Sequence, residues 1–213
     1  MSAISTSTSS LDPRTRTSPL PRLFLLASGD DDLALLPDLV RRGVRGVQVR
    51  DKGATTRELV ALTRRVRELV DDGTCVIVDD RVDVALAAGA DGVHLGADDL
   101  DVVDARRIAP GLVIGATCRD RAAVERAAAA GADYAGFGPI ASTSSKAGLP
   151  APLGVDAVRA AAGVLPLIAI GGIDAALARA VRAAGAHGVA VIGAVWRPPD
   201  PLIAAEGLVE AVA

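Results

Sequence analysis

The stretch IVDDRVDVALAAGADGVHLGADDL, residues 77–100, carries two aspartate pairs, Asp79 with Asp80 after one apolar run and Asp98 with Asp99 after the next. Carboxylates offer only oxygen donors. One or two of them, completed by substrate phosphates and water, suit Mg²⁺. Brought together in space, Asp80 and Asp99 would hold one such ion. Either pair alone says little, because an Asp after a strand is also a common helix N-cap. For Asp98 the cap or solvent reading is the simpler one.

Cations stand where an anion would need them. VQVRDKG places Arg50 and Lys52 after an apolar run, and GPIASTSSKAGLPAPLG carries Thr143, Ser145 and Lys146. Lys and Arg beside a carboxylate-bound metal fit a departing diphosphate, whose negative charge must be neutralised as it leaves. The Ser-rich stretch, taken alone, reads as a surface loop. LIAIGGIDAALARA and VAVIGAVW end two further apolar runs in glycine. Gly172 and Gly193 could let backbone N–H groups approach a phosphate, or could simply fit tight turns. His94 reads as a hydrogen-bonded core residue rather than a general base. No Ser/His/Asp triad or Cys/His pair can be assembled, so nucleophilic hydrolysis fits poorly.

These residues need elements to position them. Apolar runs at 23–28, 46–50, 75–80, 92–96, 112–118, 134–139, 166–172 and 188–193 alternate with helix-length segments, giving eight βα units. AAGADGVHLG, AAGADYAGFG and AAGAHGVAVIG repeat one helix-to-strand junction, with Gly89, Gly131 and Gly185 as left-handed helix ends. Such recurrence predicts a closed (β/α)₈ TIM barrel, with an open doubly wound sheet as the alternative. Strand alternation then turns Val47 and Val49 toward the helices and Gln48 and Arg50 inward. An inward charge near the C-terminal mouth marks Arg50 as a site residue.

The chain has 213 residues, 50% of them hydrophobic, enough for one sizeable core. A net charge of −3 argues against a nucleic-acid or anionic-membrane partner, which would want a clustered basic surface. No apolar run is long enough for a membrane helix and no secretory leader is legible, so a cytoplasmic location is expected. Cys75 and Cys118 lie in apolar runs as small hydrophobes. Residues 1–21, rich in Ser, Thr, Arg and Pro, are expected to be a disordered tail, with an organelle-targeting peptide as the other reading. Residues 22–213 would form the barrel domain. Self-association into a homo-oligomer stays open.

In series, GVQVRDKG, VDDRVDVALAAGADGVHLGADDL, GADYAGFGPIASTSSKAG, IAIGGI and VAVIGAV resemble the thiamine-phosphate synthase family from the first strand to the C-terminal helix. The resemblance implies condensation of 4-amino-2-methyl-5-hydroxymethylpyrimidine diphosphate with a thiazole phosphate. It implies Mg²⁺ on Asp80 and Asp99, and Gln48, Val49, Arg50, Asp51, Lys52, Asp79, Thr117 and Lys146 around the pyrimidine diphosphate. Arg50, Lys52 and Lys146 would be the catalytic cations. Thr143, Ser144, Ser145, Gly172, Ile192 and Gly193 would hold the thiazole phosphate.

The sequence also departs from the family pattern: Asp79 stands for the usual Asn, Gly193 for Ser, and Ala141 and Ser142 for an aromatic and Pro, while Thr117 and Ser145 exchange one hydroxyl for another. A related thiazole tautomerase lacks the metal carboxylates, so Asp80, Asp99, Arg50 and Lys146 argue against it. A non-catalytic phosphate-binding barrel is the third reading.

Overall fold

The computed structural model describes residues 19–143, 148 and 150–213. Its strands are β1 (Leu23–Ala27), β2 (Gly46–Val49), β3 (Cys75–Asp79), β4 (Gly92–Leu95), β5 (Val113–Cys118), β6 (Tyr134–Phe137), β7 (Leu167–Ile170) and β8 (Gly188–Val191). They pair in parallel in chain order, and the ring closes where Leu23 sits opposite Val189. The expected barrel is the fold; an open sheet would leave β1 and β8 unpaired.

Helices cover the outside: α1 (Leu36–Arg41), α2 (Thr56–Leu69), α3 (Val82–Ala88), α4 (Val102–Ile108), α5 (Arg121–Ala130), α6 (Val155–Ala161) and α7 (Ala175–Ala183), then α8 (Gly193–Trp196) and α9 (Pro201–Val212). Local chemistry sets their limits. At α2 the Thr55 side chain accepts from the Glu58 amide while Glu58 reaches back to Thr55, satisfying two amide donors that a helix start leaves without partners. Leu59, Thr63 and Val66 then recur on one buried face. Helices α3 and α5 end at Gly89 and Gly131, whose φ of 69° and 95° reverses the chain toward the next strand.

The repeated junction does more than turn. The Asp91 carboxylate accepts from Val76 N at 2.7 Å and pairs with Arg67, and that of Asp133 accepts from Ile114 N at 2.8 Å and pairs with Arg106. Each repeat thus pins the entry of one strand to its neighbour at the barrel floor. In the third repeat His187 takes the place of Asp, its Nε2 bonding to Leu20 O at 2.8 Å. Leu20 packs beneath the barrel interior and Pro21 is buried, so the ordered floor reaches into the stretch assigned by composition to the tail. Residues 1–18 lie outside the described residues.

Two apolar layers result. Alternate strand residues such as Val47, Val49, Val76 and Val78 join the helix-facing core, while Phe24, Ile77, Val113, Tyr134, Ile168 and Ala190 fill the barrel. Large rings fit because glycines face them: a Cβ on Gly46 would stand 2.5 Å from the Phe24 ring, and one on Gly115 2.1 Å from that of Tyr134. Cys118 is buried, and burial pushes its thiol up to about 11, as a small hydrophobe rather than a reactive group. No helix among the described residues is long and apolar enough to cross a membrane.

Candidate active site

Parallel strands send all their C-terminal ends to one mouth, where a cavity of about 510 Å³ opens. Gln48, Arg50 and Lys52 reach it from the end of β2. The alternate residue Val49 does not: its side chain is fully buried in the helix-facing core, so any ligand contact from it is confined to backbone. The Asp51 side chain is held by loop amides. Its Oδ2 accepts from Gly29 N at 3.3 Å and its Oδ1 from Gly53 N at 3.2 Å, and the carboxylate ties the loop after β1 to the loop after β2 instead of lining the cavity.

The end of β3 supplies both acids of the first pair. Asp79 is buried, with the Gln48 amide donating to Oδ1 and Arg50 Nε 3.3 Å from Oδ2. Burial pushes its carboxyl up to about 7; the Gln48 hydrogen bond pulls against this, Asp80 adds to it, and Arg50 and Lys52 oppose it. A carboxyl that keeps its proton offers an O–H donor beside a carbonyl acceptor, the two functions of an amide. While it keeps that proton, Asp79 therefore alters the site less than its formal charge implies.

Asp80 turns the chain out of β3 with φ of 65°, the one positive-φ non-glycine among the described residues. Such a conformation strains an L-residue, though Asp and Asn tolerate it best. Its amide donates to His94 O at 2.8 Å, which fixes the turn over β4. The side chain meets Lys52, with Nζ 2.6 Å from Oδ2, and hydrogen-bonds to Asp99. Burial would raise Asp80, but the bonds to Lys52 and Asp99 outweigh it and hold the group below the usual carboxylate range. Asp99 moves up instead, through burial and then through its bond to Asp80. Asp99 is set in place by Gly96, whose N–H donates to Oδ2 at 2.7 Å. Asp98 is exposed and lines the mouth.

The tips of β3 and β4 thus bring Asp80 and Asp99 together. Two converging carboxylates with no softer donor fit a hard cation. Among the described residues no group of three or more His, Cys, Asp or Glu side chains forms a metal cage. Such a pair could hold Mg²⁺, which takes one or two protein carboxylates and completes its shell with phosphate and water.

Deeper in the cavity, His94 Nδ1 lies 3.1 Å from Tyr134 Oη and Nε2 lies 3.0 Å from Thr117 Oγ1. The imidazole stacks on Tyr134 with centroids 5.5 Å apart, and Tyr134 stacks on Phe24 at 6.1 Å. His94 is the bonded core residue expected, and it also forms part of the cavity floor with Thr117.

Across the mouth, Thr143, Gly172, Ile192 and Gly193 line the wall. Gly171 and Gly172 both have positive φ, 87° and 69°, and a Cβ on Gly172 would stand 2.6 Å from Ser142 O, so the loops after β6 and β7 touch through glycine. Ser144, Ser145 and Lys146 lie outside the described residues. Two cations that sequence reasoning missed complete the wall. Arg119 donates to Gly138 O at 3.2 Å and Ala151 O at 2.9 Å, clasping both ends of the loop after β6. Arg197 follows α8. Neither sits in a motif, and only the fold brings them to the rim.

Known proteins agree with this architecture. A family model described as thiamine monophosphate synthase matches residues 24–195. A thiamine-phosphate synthase of Salinispora arenicola is 45% identical over 205 residues, 92% of this chain and 99% of that protein. One from Methanoculleus marisnigri is 48% identical over 184 residues, 83% and 87% of the two chains. A thiamine biosynthesis bifunctional protein of Symbiobacterium thermophilum is 45% identical over 194 residues, which span 89% of this chain and 40% of that longer protein.

Among solved structures, thiamine phosphate pyrophosphorylase from Pyrococcus furiosus superposes with a TM-score of 0.81 at 34% identity, covering 90% of this chain and 95% of that one. A 3-hexulose-6-phosphate synthase, at 22% identity and a TM-score of 0.70 over 91% and 100% of the chains, shares the fold alone. With the matched span running from β1 into α8 and the Salinispora arenicola relative covered nearly end to end, the chain belongs to the thiamine monophosphate synthase family.

Proposed function

We propose that this chain is a thiamine-phosphate synthase, joining 4-amino-2-methyl-5-hydroxymethylpyrimidine diphosphate to thiazole phosphate in the cytoplasm and releasing pyrophosphate. The observation that carries this reading is the convergence of Asp99 on Asp80, which with Lys52 and Arg50 lines a cavity roomy enough for two small substrates. Membership of the family supports it.

Asp80 and Asp99 would hold Mg²⁺, which when bound draws charge from the diphosphate. Lys52 and Arg50 stand beside those acids and neutralise the anion as the methylene C–O bond breaks, a role that Lys146, between β6 and α6 in the sequence, would share. The electron-rich aminopyrimidine stabilises the resulting methylene cation, and the thiazole nitrogen closes the new C–N bond. Gln48 and Asp79 form a polar wall against which the pyrimidine is oriented. No side chain is asked to act as a nucleophile, consistent with a site whose described residues hold Asp, Arg, Lys and Thr but no activated Ser or Cys. Catalysis then rests on positioning and fixed charge.

The test is direct. Purified protein is incubated with both substrates and Mg²⁺, with and without chelator, and thiamine phosphate is followed. Metal-dependent product is expected. Isomerisation of the thiazole phosphate without condensation, unaffected by chelator, would overturn the reading in favour of the tautomerase.

A further inference from the structure

The cavity has two charged ends. Asp80 and Asp99 with their cations belong to β3 and β4, while Arg197 comes from the segment after β8, four strands further round a ring of eight and so across the mouth. Its position is firmly set. Trp196 Nε1 donates to Leu26 O at 2.7 Å, fixing α8 against β1, and the Arg197 amide bonds to Gly193 O at 3.2 Å.

From there the arginine side chain folds back over Gly193. A Cβ on Gly193 would stand 2.8 Å from Arg197 Nε and 3.0 Å from both Cδ and Cζ, closer than atoms can approach without displacement. Gly193 is not among the positive-φ glycines, so its backbone would accept any residue. Only the missing side chain matters at this position, and the space it leaves is filled by the guanidinium.

Arg197 shares the cavity wall with Ser142, Thr143, Gly172, Ile192 and Gly193, which bring backbone and hydroxyl groups to the cavity. A planar fork of N–H donors beside such a wall suits a phosphate monoester, which it can bind through two parallel hydrogen bonds. Across the mouth Arg50 and Lys52 are engaged by Asp79 and Asp80. Each anionic end of the substrate pair would therefore meet its own cation.

We infer that Arg197 is a phosphate-binding residue of this site, seated on Gly193, and that it selects a phosphorylated over an unphosphorylated second substrate. The identity of that substrate as the thiazole phosphate rests on the synthase reading; the phosphate preference rests on the geometry alone. Arg197 and Gly193 act as one unit: the arginine supplies the charge and the glycine the room.

Titration of the parent protein, Arg197→Ala, Arg197→Lys and Gly193→Ala with thiazole phosphate and with the dephosphorylated thiazole alcohol tests this, alongside steady-state kinetics. Arg197→Ala should weaken thiazole phosphate binding, and raise its KM, by about 10- to 100-fold, the range for losing a charge-assisted contact. Affinity for the alcohol and the KM for the pyrimidine diphosphate should not follow. Arg197→Lys should recover part of the loss. Gly193→Ala should weaken phosphate binding in the parent by displacing the guanidinium, and should add no further loss in Arg197→Ala.

Equal affinity of parent and Arg197→Ala for thiazole phosphate would overturn the inference, as would an equal loss for the alcohol. If Gly193→Ala fails to fold, the two Arg197 variants still decide. A parent that binds thiazole phosphate but makes no thiamine phosphate would defeat the synthase reading and leave Arg197 to be judged by the titrations. A parent that condenses with Arg197→Ala unaffected would defeat Arg197 alone.

Discussion

Lys52 and Asp80 join the loop after β2 to the tip of β3, with Nζ 2.6 Å from Oδ2. The same carboxylate faces Asp99 from β4, so three consecutive strand ends are held by one aspartate. Asp80→Asn is the informative change, because Asn accepts the left-handed backbone at this position as readily as Asp does, whereas Ala would add strain. Thiamine phosphate formation in Asp80→Asn should fall about 100-fold or more, as expected on losing a metal-held charge worth several kcal/mol. Circular dichroism should stay that of the parent. Asp99→Ala should behave alike, and full turnover in both variants would remove the metal assignment.

Asp79 makes stability depend on pH. Its folded carboxyl sits at about 7, above the ordinary value near 3.9. Below about pH 4 both folded and unfolded chains hold the proton, and stability is complete in this respect. Between about 4 and 7 the unfolded chain ionises while the folded one does not, so stability falls as pH rises, by up to about 1.4 kcal/mol per pH unit. Asp79→Asn lacks this titration. Thermal melts in chelator should show the Asn variant gaining on the parent from pH 5 to pH 8. Parallel curves would show that Asp79 titrates normally.

Arg119 should control the loop after β6 without supporting the barrel. In Arg119→Ala both clasps on Gly138 and Ala151 are lost. The amides of Leu153 and Gly154, which bond to Pro139 O and Ile140 O, should exchange with deuterium faster. KM should rise while Tm changes by no more than a degree or two. Unaltered exchange at these two amides would count against the clasp.

The barrel interior should tolerate little added volume. A Cβ on Gly115 would stand 2.1 Å from Tyr134 Cζ and force out a ring wedged between Phe24 and His94. Gly115→Ala should cost about 1–3 kcal/mol, read in urea unfolding. A midpoint equal to that of the parent would mean the rings repack freely.

Much of this was legible before any coordinates. The eight apolar runs match the eight strands because strands buried on both faces must be apolar throughout, which makes them conspicuous. Period-two alternation was enough to turn Gln48 and Arg50 inward. The Asp51 carboxylate is held by the nearest amides in space, those of Gly29 and Gly53, which a motif that gives only neighbours in sequence does not reveal. Val49 shared a motif with site residues but obeyed the strand's parity instead. Arg119 and Arg197 carried no signal, since an isolated arginine after a strand or helix reads as surface until the ring is closed.

The left-handed backbone of Asp80 also bears on how this protein would respond to engineering. Glycine there would relax the main chain, but it would also give up the carboxylate's bonds to Lys52 and Asp99, which favour the folded state. A library selected only for survival of heating would keep that replacement wherever the backbone gain is the larger, and such members would have given up the group on which turnover depends.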